Sequence, residues 1–162
     1  MALLAQPLTA AAFAPFGTVF EAPSAPGRVP AHDSLANRRP AAEPSLRLTK
    51  LAPLARLPLR AELFERHAFS SQTFLPLAVA RYLVIVAPDA ATGGPDGAGA
   101  RAFIGRAGQG VTYRAGLWHH GMTALDQPAT FAVLMWCDGT TADEEFVTLA
   151  APLTVQLAAE AR

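Results

Sequence analysis

The feature that most restricts the fold of this chain is a series of short apolar segments separated by turn-forming residues. Segments 82–87, 101–104, 111–113 and 130–136 are rich in β-branched and aromatic residues, which favour strands. Glycine and proline interrupt the chain between them, at intervals of about eight to twelve residues. The sequence therefore predicts an all-β fold, either a sandwich or a barrel.

One helix signal stands near the start of the chain. Thr9 can cap a helical turn, and Phe13 and Phe16 then lie on the same face of it. We predict a short N-terminal helix near Thr9 to Phe16. The proline-rich segment from Ala22 to Pro44 predicts a long loop, of the kind that either binds a ligand or is disordered.

Length and composition limit the classes of function. The 162 residues fit one domain, and a hydrophobic content of 51% is sufficient for a sizeable core. The 13 basic and 13 acidic residues balance, so the chain offers no broad basic field to nucleic acid or to a membrane surface. The N-terminus lacks a signal-peptide pattern, and the single cysteine, Cys137, is typical of a reducing compartment. We predict a soluble cytoplasmic protein with neither nucleic-acid nor membrane partners.

Two polar clusters in apolar surroundings are the candidate functional residues. Glu65 and His67 are two residues apart, which places both side chains on one face of a strand. Gln72 opens the next strand after a short turn, and His119 belongs to a second cluster. A carboxylate, two imidazoles and an amide oxygen suit a divalent metal such as Ni, Mn, Fe or Zn. The spacing alone leaves a second interpretation open, in which Glu65 is exposed and His67 is a hydrogen-bonded core histidine.

His119 and His120 are adjacent and follow Trp118. Successive side chains of a regular strand point to opposite faces, so the two histidines cannot both face one pocket. One of them is a ligand candidate. The other reaches the same pocket only through a turn or bulge, or else packs with Trp118 on the opposite face.

The two clusters resemble a degenerate form of the two cupin motifs. Glu65 and Gln72 flank His67 where cupins carry histidine and glutamate, and Gly116 precedes His119 by three residues as in the second motif. More narrowly, the chain resembles the ureidoglycolate lyase family, formerly called ureidoglycolate hydrolase. The stretches that carry this resemblance are Pro7-Leu8-Thr9 with Phe13, Phe16 and Gly17, Glu65-Arg66-His67, Gln72-x-Phe74-x-Pro76, Arg101-Ala102-Phe103-Ile104, Gly108-Gln109-Gly110-Val111-x-Tyr113 and Trp118-His119-His120.

The chain departs from the family pattern in three places. Gly121 stands where the family has proline after the histidine pair, and Ala78 and Val79 stand where it has glycine. The loop from Ala22 to Pro44 also matches poorly, which leaves its substrate contacts undefined.

The resemblance implies a single cupin-type β-barrel over residues 1–162. It also implies cleavage of (S)-ureidoglycolate to glyoxylate and urea in allantoin and purine catabolism, by a homodimer that binds a divalent metal, nickel or another. In this interpretation His119 faces inward, Glu65 is a ligand or a base, and His120 is the weaker candidate for an acid. The candidate residues are catalytic Glu65, His67, His119 and His120, substrate-binding Lys50, Gln72 and Tyr113, and metal-ligating His67, Gln72 and His119.

Three alternatives share the same pocket. A hydrolase would attack the ureido carbonyl and release ammonia and carbon dioxide. Another small-molecule cupin enzyme, such as an isomerase or a dioxygenase, would keep the pocket and change the chemistry. A non-catalytic cupin would bind a carboxylated ligand without turnover, because one barrel supports many functions.

Overall fold

The computed structural model describes residues 2–158, and within this range the chain is nearly all β-structure. None of the described helices is long and apolar enough to cross a membrane. The elements in chain order are β1 (Ala2–Pro7), α1 (Ala10–Phe13), β2 (Gly17–Glu21), β3 (Glu43–Leu51), β4 (Leu59–His67), β5 (Gln72–Ala78), β6 (Arg81–Ala87), β7 (Arg101–Arg106), β8 (Gln109–Tyr113), β9 (Trp118–His119), β10 (Thr123–Leu125), β11 (Ala129–Cys137) and β12 (Glu144–Leu157).

The strands form two sheets. The seven-stranded sheet has the order β10-β6-β7-β1-β12-β4-β9, and the five-stranded sheet has the order β2-β8-β5-β11-β3. The short strand β9 pairs with β4 on one side and with β6 on the other. This double pairing closes six strands of the larger sheet into a barrel. The prediction of an all-β barrel with a short N-terminal helix is confirmed.

Strand β6 separates two hydrophobic cores. Its residues Leu83 and Ile85 belong to a cluster formed by the seven-stranded sheet alone, inside the closed barrel. Tyr82 and Val84 belong to a second cluster that also contains residues of the five-stranded sheet. A strand that is buried on both faces has a continuous apolar sequence, which explains the uninterrupted run 82–87.

The helix α1 lies within the predicted segment. Thr9 caps it, since its hydroxyl oxygen accepts a hydrogen bond from the backbone N–H of Ala12 at 3.2 Å. Phe13 is fully buried and packs edge-on against Phe103, with ring centroids 5.5 Å apart. The helix therefore attaches the N-terminal segment to the core between the sheets.

The long loop after β2 is fastened to the short turn that follows β4. Three hydrogen bonds connect Ala36 and Ser71, of which the backbone bond from the Ser71 N–H to the Ala36 carbonyl is 2.9 Å long. The backbone N–H of Arg38 donates to the carbonyl of Phe69 at 2.8 Å. This turn joins His67 to Gln72, so the loop helps to fix the relative positions of these two side chains.

Candidate metal centre

Strands β4 and β9 of the barrel carry the centre. Glu65 and His119 are direct cross-strand neighbours in this antiparallel pair. The chain enters β9 through Gly116, whose φ of 81° lies in the left-handed region that favours glycine. The N–H of Gly116 donates to the carbonyl of His67 at 2.7 Å, which ties the start of the second cluster to the end of the first.

Four of the predicted residues lie together. Potential ligand atoms of Glu65, His67 and His119 all lie within 4.8 Å of one another. The Nε2 atom of His119 is 3.1 Å from Oε1 of Glu65. The side-chain amide nitrogen of Gln72 lies 3.1 Å from Nε2 of His67. The structure thus brings a carboxylate, two imidazoles and an amide to one place.

His119 lies between two oxygen atoms, one of a backbone carbonyl and one of a carboxylate. The carbonyl oxygen of Leu117 lies 2.9 Å from Nδ1 of His119, so Nδ1 carries a proton and donates it. The other nitrogen then faces the Glu65 carboxylate with its lone pair, unless a second proton or a metal ion lies between them. The same tautomer is the one that allows Nε2 to ligate a metal.

Burial and neighbouring groups favour the ligand forms of the other side chains. Burial lowers the pKa of His67, so its imidazole is neutral near pH 7 and offers a lone pair. The hydrogen bond with His119 lowers the pKa of Glu65, so its carboxylate is ionised. The Oε1 atom of Gln72 is buried and has no hydrogen-bond partner among residues 2–158. This donor set fits a divalent cation.

A cleft of about 220 Å³ gives access to the centre. Its lining includes Glu65 and His67 of β4 in the seven-stranded sheet, and Gln72 of β5 with Arg47 and Thr49 of β3 in the five-stranded sheet. The side chain of Glu65 is 26% exposed, whereas those of His119 and His67 are 2% and 5% exposed. The carboxylate is therefore the part of the centre that a small molecule in the cleft meets first.

Lys50 lies outside this cleft. It is exposed on β3, and its side chain lies on the opposite face of the strand from those of Arg47 and Thr49. It therefore shares a face with the exposed Leu46 and Leu48. The sequence prediction named Lys50 and neither Arg47 nor Thr49. Apolar and polar residues alternate over 45–50, so strand periodicity places these two side chains on the opposite face to Lys50.

Tyr113 lies beneath His119 and is not among the residues that line the cleft. The two rings are 4.7 Å apart at their centroids. Burial raises the pKa of Tyr113 well above its usual value, so its hydroxyl stays neutral. That hydroxyl has no hydrogen-bond partner in the described part of the chain.

His120 faces away from His119. Its Nδ1 donates to the carbonyl of Leu63 at 2.9 Å, and its ring lies beside Phe64 with centroids 6.2 Å apart. It lines a second cleft of about 170 Å³ that also includes Glu65. Alternation along the chain thus separates the two adjacent histidines: His119 is buried against Glu65, whereas His120 lines the second cleft, and Glu65 borders both clefts.

The fold and the site define a class, namely β-barrel proteins with a histidine- and carboxylate-lined candidate metal centre. A sequence profile of the ureidoglycolate lyase family matches residues 1–156. The chain belongs to the ureidoglycolate lyase family.

Individual relatives carry the same description. A putative ureidoglycolate lyase of Agrobacterium fabrum is 36% identical over 153 residues, which cover 94% of each chain. A ureidoglycolate lyase of Brucella melitensis is 36% identical over 140 residues, covering 82% of this chain and 81% of the relative. A ureidoglycolate lyase of Burkholderia mallei is 38% identical over 138 residues, covering 80% of this chain and 79% of the relative. Among solved structures, a dTDP sugar isomerase of Desulfovibrio desulfuricans aligns over 80% of each chain with a TM-score of 0.48 and 15% identity.

Proposed function

We propose that this protein is an enzyme that cleaves (S)-ureidoglycolate to glyoxylate and urea. The observation that carries the proposal is the cleft lined by Glu65, His67 and Arg47, with the buried His119 beside Glu65, in a chain of the ureidoglycolate lyase family. The reacting carbon of the substrate bears a hydroxyl, a carboxylate and a ureido nitrogen. The cleft offers a complementary group for each kind of substituent.

Arg47 is the partner that we assign to the substrate carboxylate. It lines the cleft together with Glu65 and His67, and no carboxylate of residues 2–158 lies within ion-pair distance of it. Its one recorded side-chain hydrogen bond among residues 2–158 is a weak one, from a terminal nitrogen to Sγ of Cys137 at 4.0 Å. A carboxylate that accepts two parallel hydrogen bonds from the guanidinium is a stronger partner than this thiol. This contact would orient the reacting carbon toward Glu65.

Glu65 is the group that we assign to the proton transfers. Its carboxylate accepts the proton of the substrate hydroxyl, and the electrons of that O–H bond form the new C=O bond of glyoxylate. The C–N bond breaks, and its electron pair stays on the ureido nitrogen. Because this nitrogen and the hydroxyl oxygen are attached to the same carbon, the Glu65 carboxyl remains within reach to protonate it. The products are then glyoxylate and urea, with no other reactant.

His67, His119 and Gln72 are the residues that would hold a divalent metal ion, nickel or another ion that accepts nitrogen and oxygen ligands. When bound, such an ion acts as a Lewis acid that makes the substrate hydroxyl more acidic. Both imidazoles are buried, and His119 is also held by the carbonyl of Leu117 and His67 by the side chain of Gln72, so the protein supplies a preformed site.

The proposal also includes the whole chain as one domain and a cytoplasmic homodimer that acts in allantoin and purine catabolism. The outer face of β3 supports self-association. It exposes 67% of Leu46 and 73% of Leu48, and β3 is an edge strand of the five-stranded sheet. Exposed apolar side chains on an unpaired edge are typical of an interface.

The products of the purified protein test the proposed reaction. With (S)-ureidoglycolate and added divalent metal, we expect one urea for each glyoxylate, because the C–N bond at the hydroxyl-bearing carbon is the one that breaks. Urea, ammonia and glyoxylate are measured separately. Ammonia in place of urea, in a preparation free of urease, would contradict the lyase and indicate hydrolysis of the ureido carbonyl.

Arg47→Ala tests the assignment of the substrate carboxylate. Loss of a hydrogen bond between charged groups removes about 1.5–3 kcal/mol of binding, so kcat/KM should fall about 10- to 150-fold, mainly through KM. Lys50→Ala is the matched control, since it removes a cation from the opposite face of the same strand and should leave KM unchanged. If Lys50→Ala raises KM and Arg47→Ala does not, the carboxylate partner has been assigned to the wrong face of β3.

A further inference from the structure

A buried carboxylate lies behind the metal centre. Asp143 belongs to the loop before β12, and only 4% of it is exposed. Its Oδ1 accepts a hydrogen bond from the backbone N–H of Phe69 at 2.7 Å. Its Oδ2 is 3.9 Å from Nδ1 of His67, and both atoms are buried without a hydrogen-bond partner among residues 2–158.

Arg39 compensates the charge of Asp143. One of its terminal nitrogens lies 3.6 Å from Oδ1 of Asp143, and the other binds Asp138. Its guanidinium also lies over the ring of Phe69, 5.0 Å from the centroid. The carboxylate of Asp143 therefore has both a cation and a backbone N–H as partners for its charge.

Oδ2 of Asp143 and Nδ1 of His67, the two buried atoms without a partner, are complementary as acceptor and donor. A buried polar atom without a partner destabilises the fold by about 1–3 kcal/mol, and more when it is charged. A shift of about 1 Å would bring Oδ2 of Asp143 to hydrogen-bond distance from Nδ1 of His67. The proton of the neutral His67 would then be on Nδ1, and the lone pair on Nε2 would face Gln72 and the cleft.

We propose that Asp143 is a positioning residue of the metal centre, which holds the proton of His67 on Nδ1 and so directs Nε2 toward the bound ion. This inference rests on the proposed role of His67 as a metal ligand. Histidine ligands commonly donate their other ring N–H to a carboxylate, which fixes both the tautomer and the ring orientation.

The contacts of Asp143 with Arg39 and His67 connect the long loop after β2 to the metal centre. Arg39 belongs to this loop and reaches Asp143, which in turn faces His67. Through Arg39 the loop therefore supports the centre from behind, on the side away from the substrate. This role does not require a side chain of the loop to touch the substrate.

The test compares Asp143→Asn with Asp138→Asn in metal-free protein. Long-range proton–nitrogen NMR spectra at pH 8 report which ring nitrogen of the neutral His67 carries the proton. We expect Nδ1–H in the unaltered protein. In Asp143→Asn the Oδ1 atom can still accept from Phe69, so the new NH₂ group faces Nδ1 as a donor and should shift the tautomer to Nε2–H. Asp138→Asn removes another carboxylate bound to Arg39 and should leave the tautomer unchanged.

Chelator competition with Ni²⁺ provides the second readout. We expect Asp143→Asn to weaken Ni²⁺ binding about 10- to 100-fold, with Asp138→Asn unchanged. A predominant Nε2–H tautomer in the unaltered protein would overturn the inference, and this measurement does not depend on the folding of any variant. An unchanged tautomer in Asp143→Asn would overturn it as well. A changed tautomer with unchanged Ni²⁺ affinity would support the contact between Asp143 and His67, and would contradict the proposed ligand role of His67.

Discussion

His119→Ala is expected to remove metal binding and turnover together. His119 is 1% exposed, its Nε2 faces Glu65 at 3.1 Å, and it is one of only two histidines in the ligand cluster of the described residues, so its loss leaves a bound ion with too few ligands. Loss of a Lewis acid removes several kcal/mol of transition-state stabilisation, which corresponds to a fall in kcat/KM of more than about 10³-fold. Metal content by atomic emission and steady-state kinetics on the same samples measure both effects.

His120→Ala is the matched control for this variant. His120 is the next residue in the chain, but it lines the second cleft and donates to the carbonyl of Leu63. We expect this variant to retain its metal, with a loss of rate smaller than the roughly 10²-fold typical of a general acid or base. If His120→Ala loses the metal and His119→Ala retains it, the assignment of the ligand histidine is reversed.

Glu65→Gln is expected to reduce kcat about 10²- to 10⁴-fold without loss of metal. Glutamine has nearly the same shape as glutamate but cannot accept the hydroxyl proton of the substrate. The side chain of Glu65 is the most exposed of the three residues of the metal cluster, which is the position required of a base that meets the substrate.

The Glu65→Gln experiment needs a control variant and a measurement of metal content. Glu144→Gln removes another carboxylate that lines the same cleft, and it should change kcat much less than Glu65→Gln does. Metal content distinguishes the two roles that the sequence leaves open for Glu65. A Glu65→Gln protein that is inactive and metal-free would show that Glu65 is a ligand, in contradiction to its proposed role as the base.

The local pattern of the sequence was sufficient for several elements. Thr9 and the two phenylalanines after it predicted α1, and the Thr9 hydroxyl forms the cap. The spacing of Glu65 and His67 predicted that both side chains lie on one face, and both belong to the cluster in the structure. These features depend on the periodicity of strands and helices, which is a local property of neighbouring residues in the chain.

Strands β1 and β12 were not predicted. Strand β12 contains Ala150, Ala151 and Pro152, residue types that are uncommon in strands, and its register with β4 shifts between Thr148 and Leu153. Strand β1 pairs in parallel with β12, so residues near the two ends of the chain become neighbours. Pairing over such a distance is stabilised by the barrel as a whole, and no short segment encodes it.

Among the residues around the centre, too, some could be predicted from the sequence and others could not. Arg47 could have been preferred to Lys50 from strand parity, once it was known which face of β3 meets the cleft. Asp143 had no signal of its own, because it follows a turn and acts on a histidine more than seventy residues earlier in the chain. Its burial and its distance from His67 exist only in the folded chain.

The sequence by itself determined the all-β class, the helix at Thr9, the residue types of the centre and, through the family resemblance, the reaction that we propose. Only the tertiary structure decided that β9 closes the barrel between β4 and β6, that His119 rather than His120 meets Glu65, and that Asp143 lies behind His67. The physical reason is that alternation along a strand fixes which side chains share a face. The strand that each face meets, and the register of that pairing, depend on contacts between distant parts of the chain.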